Sequence, residues 1–218
     1  MNLIKKYFFN IYLIAININK YGIKNIIAII CYEFLFFFKG YKDLFYEDSL
    51  STKYTNIIKY KSKSFDGVYS PTPFYFLSLI KKKLKIKKTL KNKIFIDFGC
   101  GTGRVLNFFY NDFKKLIGID HNKNYHKFFK CKKKIFFNIN LRNINKIKKK
   151  KILFKNEAYL FFYQPFDEKL ILKLIKLFKK KLIIITINTN VIKFKNCTII
   201  YKKIFKSNNK NIYIYKNY

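Results

Sequence analysis

Asp97, Gly99, Gly101 and Gly103 fall at alternate positions in the stretch Ile-Phe-Ile-Asp-Phe-Gly-Cys-Gly-Thr-Gly-Arg from Ile94 to Arg104, which holds three of the seven glycines in the 218-residue chain. An apolar run of strand character leads in, and a helical pattern over Arg104 to Tyr110 leads out. The segment therefore reads as a strand, a tight turn and a helix start, where backbone N–H groups are free to meet a ligand. Glycine lets the chain take positive φ and lets a ligand come close to the backbone. The spacing excludes two nucleotide-binding motifs. A G-x-G-x-x-G loop would need a third glycine at position 104 or 106, where Arg104 and Leu106 stand, and no G-x-x-x-x-G-K-[ST] loop is present.

A second carboxylate agrees with the first. Lys115 to Asp120 reads as the next strand, ending in an acid 17 residues beyond Gly103. An acid at the tip of a second strand, roughly 20 residues past a glycine turn, accepts hydrogen bonds from ribose hydroxyls. Only 11 residues of the chain are acidic, so two acids at the two motif positions carry weight.

The pattern Asp-x-Gly-x-Gly-x-Gly followed by Asp120 resembles the class I S-adenosylmethionine (SAM) methyltransferases. The resemblance implies a Rossmann-like α/β fold with a mostly parallel seven-stranded sheet, an antiparallel last strand and helices on both faces. It also implies SAM as cofactor, an enzyme that transfers its methyl group, and cofactor contacts from Asp97, Gly99, Cys100, Gly101, Gly103, Asp120, His121 and Asn140. Cys100 is expected as a small filler in the turn rather than a nucleophile, and His121 as a loop residue near the adenosine. Asn140 occupies the place where the superfamily often carries an acid for the adenine amino group; the alternative is a turn asparagine. Residues Tyr69-Ser70-Pro71-Thr72 resemble the Tyr-x-Pro-Thr lead-in of a poorly characterised group in the superfamily, which would set Tyr69 over the methionine end of SAM. Phe162-Tyr163-Gln164-Pro165-Phe166-Asp167 resembles that group's Asn-Pro-Phe loop and, distantly, the Asn/Asp-Pro-Pro-Tyr/Phe loop of amino-group methyltransferases. That would give Gln164 the acceptor-holding amide and Phe166 the stacking ring. Gln is one methylene longer than Asn and the second proline is missing, so adenine specificity does not follow. Pro165 also suits a strand end, and Asp167 suits a helix N-cap.

Composition sets the remaining bounds. The net charge is +36, with 47 Lys and Arg. Such a balance points to a polyanionic partner or a membrane surface, but Lys, Asn, Ile, Phe and Tyr, whose codons are all A/T-rich, are enriched together. The lysine runs, including Lys132-Lys133-Lys134 and Lys179-Lys180-Lys181, suit solvated element ends or one basic face. Four widely spaced cysteines without a C-x-x-C argue against a disulfide framework or a zinc site and fit a reducing cytoplasm. No acidic cluster suggests a metal.

Residues 1–64 read as an apolar helical extension and 65–218 as the methyltransferase domain. Tyr7 to Asn19 and Ile23 to Phe38 are apolar but fall short of the roughly 20 clean residues of a membrane span. Two helices packing on the domain are expected, or a membrane-surface contact through residues 1–40. Thr72 is expected to cap a helix with Pro73 in its first turn. Helices are expected over Lys123 to Lys132 and Asp167 to Lys180, and strands over Lys134 to Ile139, Glu157 to Tyr163 and Leu182 to Ile187. A closing strand pair over Cys197 to Phe205 and Asn211 to Tyr215 completes the alternation. The acceptor expected first is an amino group on a protein or small molecule. The alternatives are a nucleic acid, drawn by the charge, and a non-catalytic membrane-surface or scaffold protein that keeps the SAM-binding fold.

Overall fold

The apolar run Ile94–Phe98 forms β1, and all five of its residues are buried, as befits a central strand covered on both faces. The structure is a computed structural model, and it describes residues 21–39, 72–84, 90, 93–129, 131–154, 157–163, 167–189, 192–194, 196–206 and 211–217. Beside β1 lie β2 (Lys115–Asp120), β3 (Lys134–Asn138), β4 (Ala158–Tyr163), β5 (Leu182–Ile187), β6 (Cys197–Ile204) and β7 (Asn211–Asn217). They build one sheet in the order β3-β2-β1-β4-β5-β7-β6. The pairings from β3 through to β5 are all parallel. β7 runs antiparallel to both β5 and β6 and slots between them. The expected closing pair is therefore present, with its second strand inserted against β5. The strand order reverses between β2-β1 and β4-β5, so the crevice of this sheet opens at the carboxyl ends of β1 and β4.

The helices are α1 (Ile23–Phe38), α2 (Phe74–Lys83), α3 (Arg104–Phe108), α4 (Ile144–Lys148) and α5 (Glu168–Ile175). Two apolar clusters show the sheet covered on both faces. Phe95 joins Ile26 and Ile29 of α1, Phe74, Phe76 and Leu77 of α2, and Phe109. Its neighbours Ile94, Ile96 and Phe98 join Ile147, Ile171 and Leu174 on the opposite face. The period-2 alternation of a strand thus sorts β1 between two cores. α1 belongs to the first core and packs on α2; Tyr7 to Asn19, the other helix expected in the extension, lies outside the described residues.

Several boundaries differ from the sequence expectation for physical reasons. Pro73, not Thr72, stands at the N-cap of α2, with no side-chain cap of its own. The cap comes from α1: the Phe74 N–H donates to Glu33 Oε1 at 2.9 Å. The helix expected over Lys123 to Lys132 is a short 3₁₀ turn, Lys123–Phe128, opened by Asn122, which accepts from the Asn124 N–H. A longer helix would carry Phe129 away; instead its ring packs over Gly103 and Gly118. The helix expected over Asp167 to Lys180 ends at Ile175, and Asp167 is its N-cap as expected, accepting from the Lys169 N–H at 3.1 Å. Short helical turns at Ile144–Lys148 and Lys151–Phe154 lack a long apolar period and were not legible as helices.

The lysine runs do converge, at the edge of the sheet away from the glycine turn. Lys93, Lys114-Lys115, Lys132-Lys133-Lys134 and Lys179-Lys180-Lys181 stand at or just before the amino ends of β1, β2, β3 and β5.

Gly118, in the middle of β2, shows how tightly the glycine turn seats on the sheet. A Cβ there would lie 2.6 Å from Cys100 Sγ and 2.8 Å from the Phe129 ring. Gly118→Ala is expected to cost about 1–3 kcal/mol by overpacking, read as a fall in the thermal unfolding midpoint.

Candidate functional site

β1 delivers Asp97 and the glycine turn to the crevice, and β2 delivers Asp120 beside them. Gly99, Gly101 and Gly103 take φ of 76°, 52° and 85°, left-handed values that glycine adopts without a Cβ penalty. The turn is braced from the neighbouring strand: the Gly101 N–H donates to Asp120 Oδ2 at 3.0 Å. Asp120 Oδ1 accepts from the Asn122 N–H at 2.9 Å. An ionised carboxylate offers about four lone-pair directions, so each oxygen keeps capacity for a hydroxyl donor. Asn138, opposite Asp120 in the parallel register, donates through Nδ2 to the backbone carbonyls of Asp120 (3.2 Å) and His121 (2.7 Å). This clamps the tip of β2.

Asp97 is the group with unmet demand. It is 2% exposed, and its Oδ2 accepts no hydrogen bond among the described residues. Burial pushes its carboxyl well above the usual carboxylate range, and the neighbouring Asp120 charge adds to this. A buried carboxylate with an idle oxygen calls for a partner. A ligand carrying a cation supplies one.

Cys100 is buried, with its thiol pushed well above its usual range by burial and then by the Asp97 and Asp120 charges. Such a thiol is a filler under Gly118, not a nucleophile. His121 is exposed at the rim, its Nδ1 3.5 Å from Asp120 Oδ1. Asn140 is exposed and its Oδ1 accepts from the Arg142 N–H at 2.9 Å, the geometry of a turn-forming asparagine. The structure thus brings together Asp97, the three glycines, Cys100, Asp120 and His121. Tyr69, Gln164 and Phe166, the acceptor-side candidates, lie outside the described residues.

Two features were missed from sequence. Asn138 clamps β2, and its place opposite Asp120 appears only with the strand register. At the carboxyl end of β5, Thr189 is buried with its hydroxyl unpartnered among the described residues, beside Asn188 at φ 56°. The polar run Thr186-Ile187-Asn188-Thr189 closing an apolar strand was the available signal.

Gly101 offers a direct test of the turn. At φ 52° a β-branched residue is a steric outlier, and the hydrogen bond to Asp120 would be displaced with it. Gly101→Val is expected to weaken SAM binding by about tenfold or more, measured by titration calorimetry.

No protein-family model and no curated protein matches the sequence. Solved structures do. YhhF of Escherichia coli, provisionally named a methyltransferase, superposes with a TM-score of 0.51 at 14% identity, over 68% of this chain and 88% of its own. A provisionally named SAM-dependent methyltransferase of Streptococcus mutans gives 0.50 at 11% identity, over 69% of this chain and 51% of its own. SMU.776, a provisionally named methyltransferase solved in complex with SAH, gives 0.50 at 11%, over 68% and 52%. The chain spans about half the length of the latter two. At these identities the likeness is one of fold. With its strand order, its inserted antiparallel β7 and its glycine turn after β1, this chain has the Rossmann-like fold of the class I methyltransferases.

Proposed function

We propose that the chain is a SAM-dependent methyltransferase. The observation that carries this reading is the pairing of a braced glycine turn with a buried, unsatisfied carboxylate. Asp120 holds Gly101 in place while Asp97 Oδ2 is left without a partner among the described residues. SAM fits that demand. Its ammonium and sulfonium charges suit the neighbourhood of Asp97, and its ribose hydroxyls suit the spare lone pairs of Asp120. When bound, it supplies an activated methyl group that an acceptor takes by in-line displacement. The chain's own residues then have three tasks. Asp97 offsets the cofactor's positive charge in a water-poor place, Asp120 orients the sugar, and the glycine turn lets the ligand come close. No strong general base is demanded of the protein, because alignment does most of the work in such a transfer.

For the acceptor, a nucleic acid is placed ahead of an amino group on a protein or small molecule. A chain of net charge +36 attracts phosphate polymers. Two exposed cations, Lys123 and Arg142, follow β2 and β3 on the crevice side. The lysine runs at the far edge of the sheet are too remote to position a base and would act only on non-specific attraction. The test is transfer of isotope-labelled methyl from SAM to separated RNA, DNA, protein and small-molecule fractions of a cell extract. Label in nucleic acid that falls steeply with added salt is expected. Label confined to protein or small molecules would return the amino-group acceptor to first place, and failure to bind SAM would remove the enzyme reading.

A further inference from the structure

α1 is apolar on two faces, and one of them is buried against the described residues. Ile26 and Ile29 are buried against α2 and the sheet, and Glu33 turns inward to Arg104. On the other side Ile23 (62%), Ile27 (55%), Phe34 (38%), Leu35 (46%) and Phe38 (79%) are exposed. At about 100° per residue these five, with exposed Cys31 and Lys24, fall within a single arc of about 120°. An apolar stripe along a helix about 24 Å long is not a scatter of single surface residues. Contiguous apolar surface of this kind marks an interaction site.

The charge around the stripe selects its occupant. The one acid of α1, Glu33, is on the buried face, so the outer face carries no negative charge. Lys24 and Lys39 are exposed on the helix, and exposed Lys206 sits beside its start, its Cβ 3.8 Å from where a Gly22 Cβ would be. A second copy would bring another +36 chain against this face, and like charges oppose that contact. An anionic lipid surface reverses the sign: each lysine near it is attracted, and the apolar arc sinks into the boundary between headgroups and acyl chains. No helix among the described residues is long and apolar enough to cross a membrane, so the helix would lie in the surface plane.

We propose that the outer face of α1 docks the protein on an anionic membrane surface, with Ile23, Ile27, Leu35 and Phe38 entering the lipid and the flanking lysines meeting the headgroups. This rests on the surface of α1 and not on the methyl-transfer reading, so either can fail alone.

The test is flotation of the full chain with vesicles of phosphatidylcholine alone or with about one-third phosphatidylserine, compared with the variant Ile27→Glu/Leu35→Glu. Both substituted residues are exposed, and thermal unfolding checks that the variant stays folded. Co-flotation with the anionic vesicles is expected, weaker on neutral ones, and lower by about tenfold or more in the variant. Absence of co-flotation, or a variant that floats as well as the parent, overturns the proposal. So does a dimer in light scattering that the variant converts to monomer without any lipid binding, which would assign the stripe to a second copy.

Discussion

Asp97→Asn is expected to stabilise the ligand-free protein at pH 8 while weakening SAM binding about a hundredfold. Asp97 is buried, one carboxylate oxygen is idle, and its carboxyl is held well above the usual range, first by burial and then by Asp120. A carboxyl whose folded pKa is raised contributes stability that is fully present below the unfolded value, about 3.9. That contribution is lost as pH rises through the raised folded value. Chemical denaturation of the parent should therefore show stability draining away above pH 4, and the asparagine variant should lack that loss. The gap between them widens with pH. The binding effect has the opposite sign. A buried carboxylate that meets a cation loses a strong partner when neutralised, a cost of about 3 kcal/mol at the lower end for buried pairs, which is about a hundredfold in affinity. SAM affinity of the parent should rise with pH across the same window, because the bound cation draws the proton off Asp97. A residue that served only to fill the core would gain stability on neutralisation and leave binding unchanged, so the paired measurement separates the two roles.

What was legible in the sequence follows from what is local. The glycine turn was legible because positive φ at three alternate positions leaves a mark in residue type, and Asp120 because a strand tip at the right separation is a local event. The parallel strands were legible because a strand buried on both faces is almost wholly apolar, as Ile94–Phe98 is but for Asp97 and Leu182–Ile187 but for Thr186. The Asp167 cap was read correctly because the capping bond reaches two residues along the chain. The α2 cap was not, because its acceptor, Glu33, is 41 residues away. The 3₁₀ turn at Lys123–Phe128 escaped for the same reason. Its shape answers to Phe129 packing on Gly103 and Gly118, and a helical pattern in the sequence carries no sign of that contact. Asn138 and Asn140 look alike in an asparagine-rich chain; only the register opposite Asp120 distinguishes them.

Glu33→Ala is expected to cost about 3 kcal/mol of stability, because it takes the carboxylate partner from a buried guanidinium. Arg104 is 2% exposed. Its Nη2 donates to Glu33 Oε2, and its guanidinium lies 3.9 Å from the centre of the Phe74 ring. The other oxygen of Glu33 caps α2 at Phe74. One carboxylate thus joins α1, the start of α2 and the residue directly after Gly103. For a chain of this size the loss corresponds to a fall of roughly 6–12 °C in the unfolding midpoint. The double change Glu33→Leu/Arg104→Leu should recover most of it, since apolar residues can replace a buried ion pair at little net cost. The recovery should not extend to the ligand. Arg104 fixes where the glycine turn runs into α3, so the double variant is expected to remain folded yet bind SAM about tenfold more weakly than the parent, a turn misplaced by well under an ångström being enough for such a loss. If calorimetry finds parental affinity in the double variant, the pair serves stability alone, and α1 contributes to the core without positioning the cofactor turn.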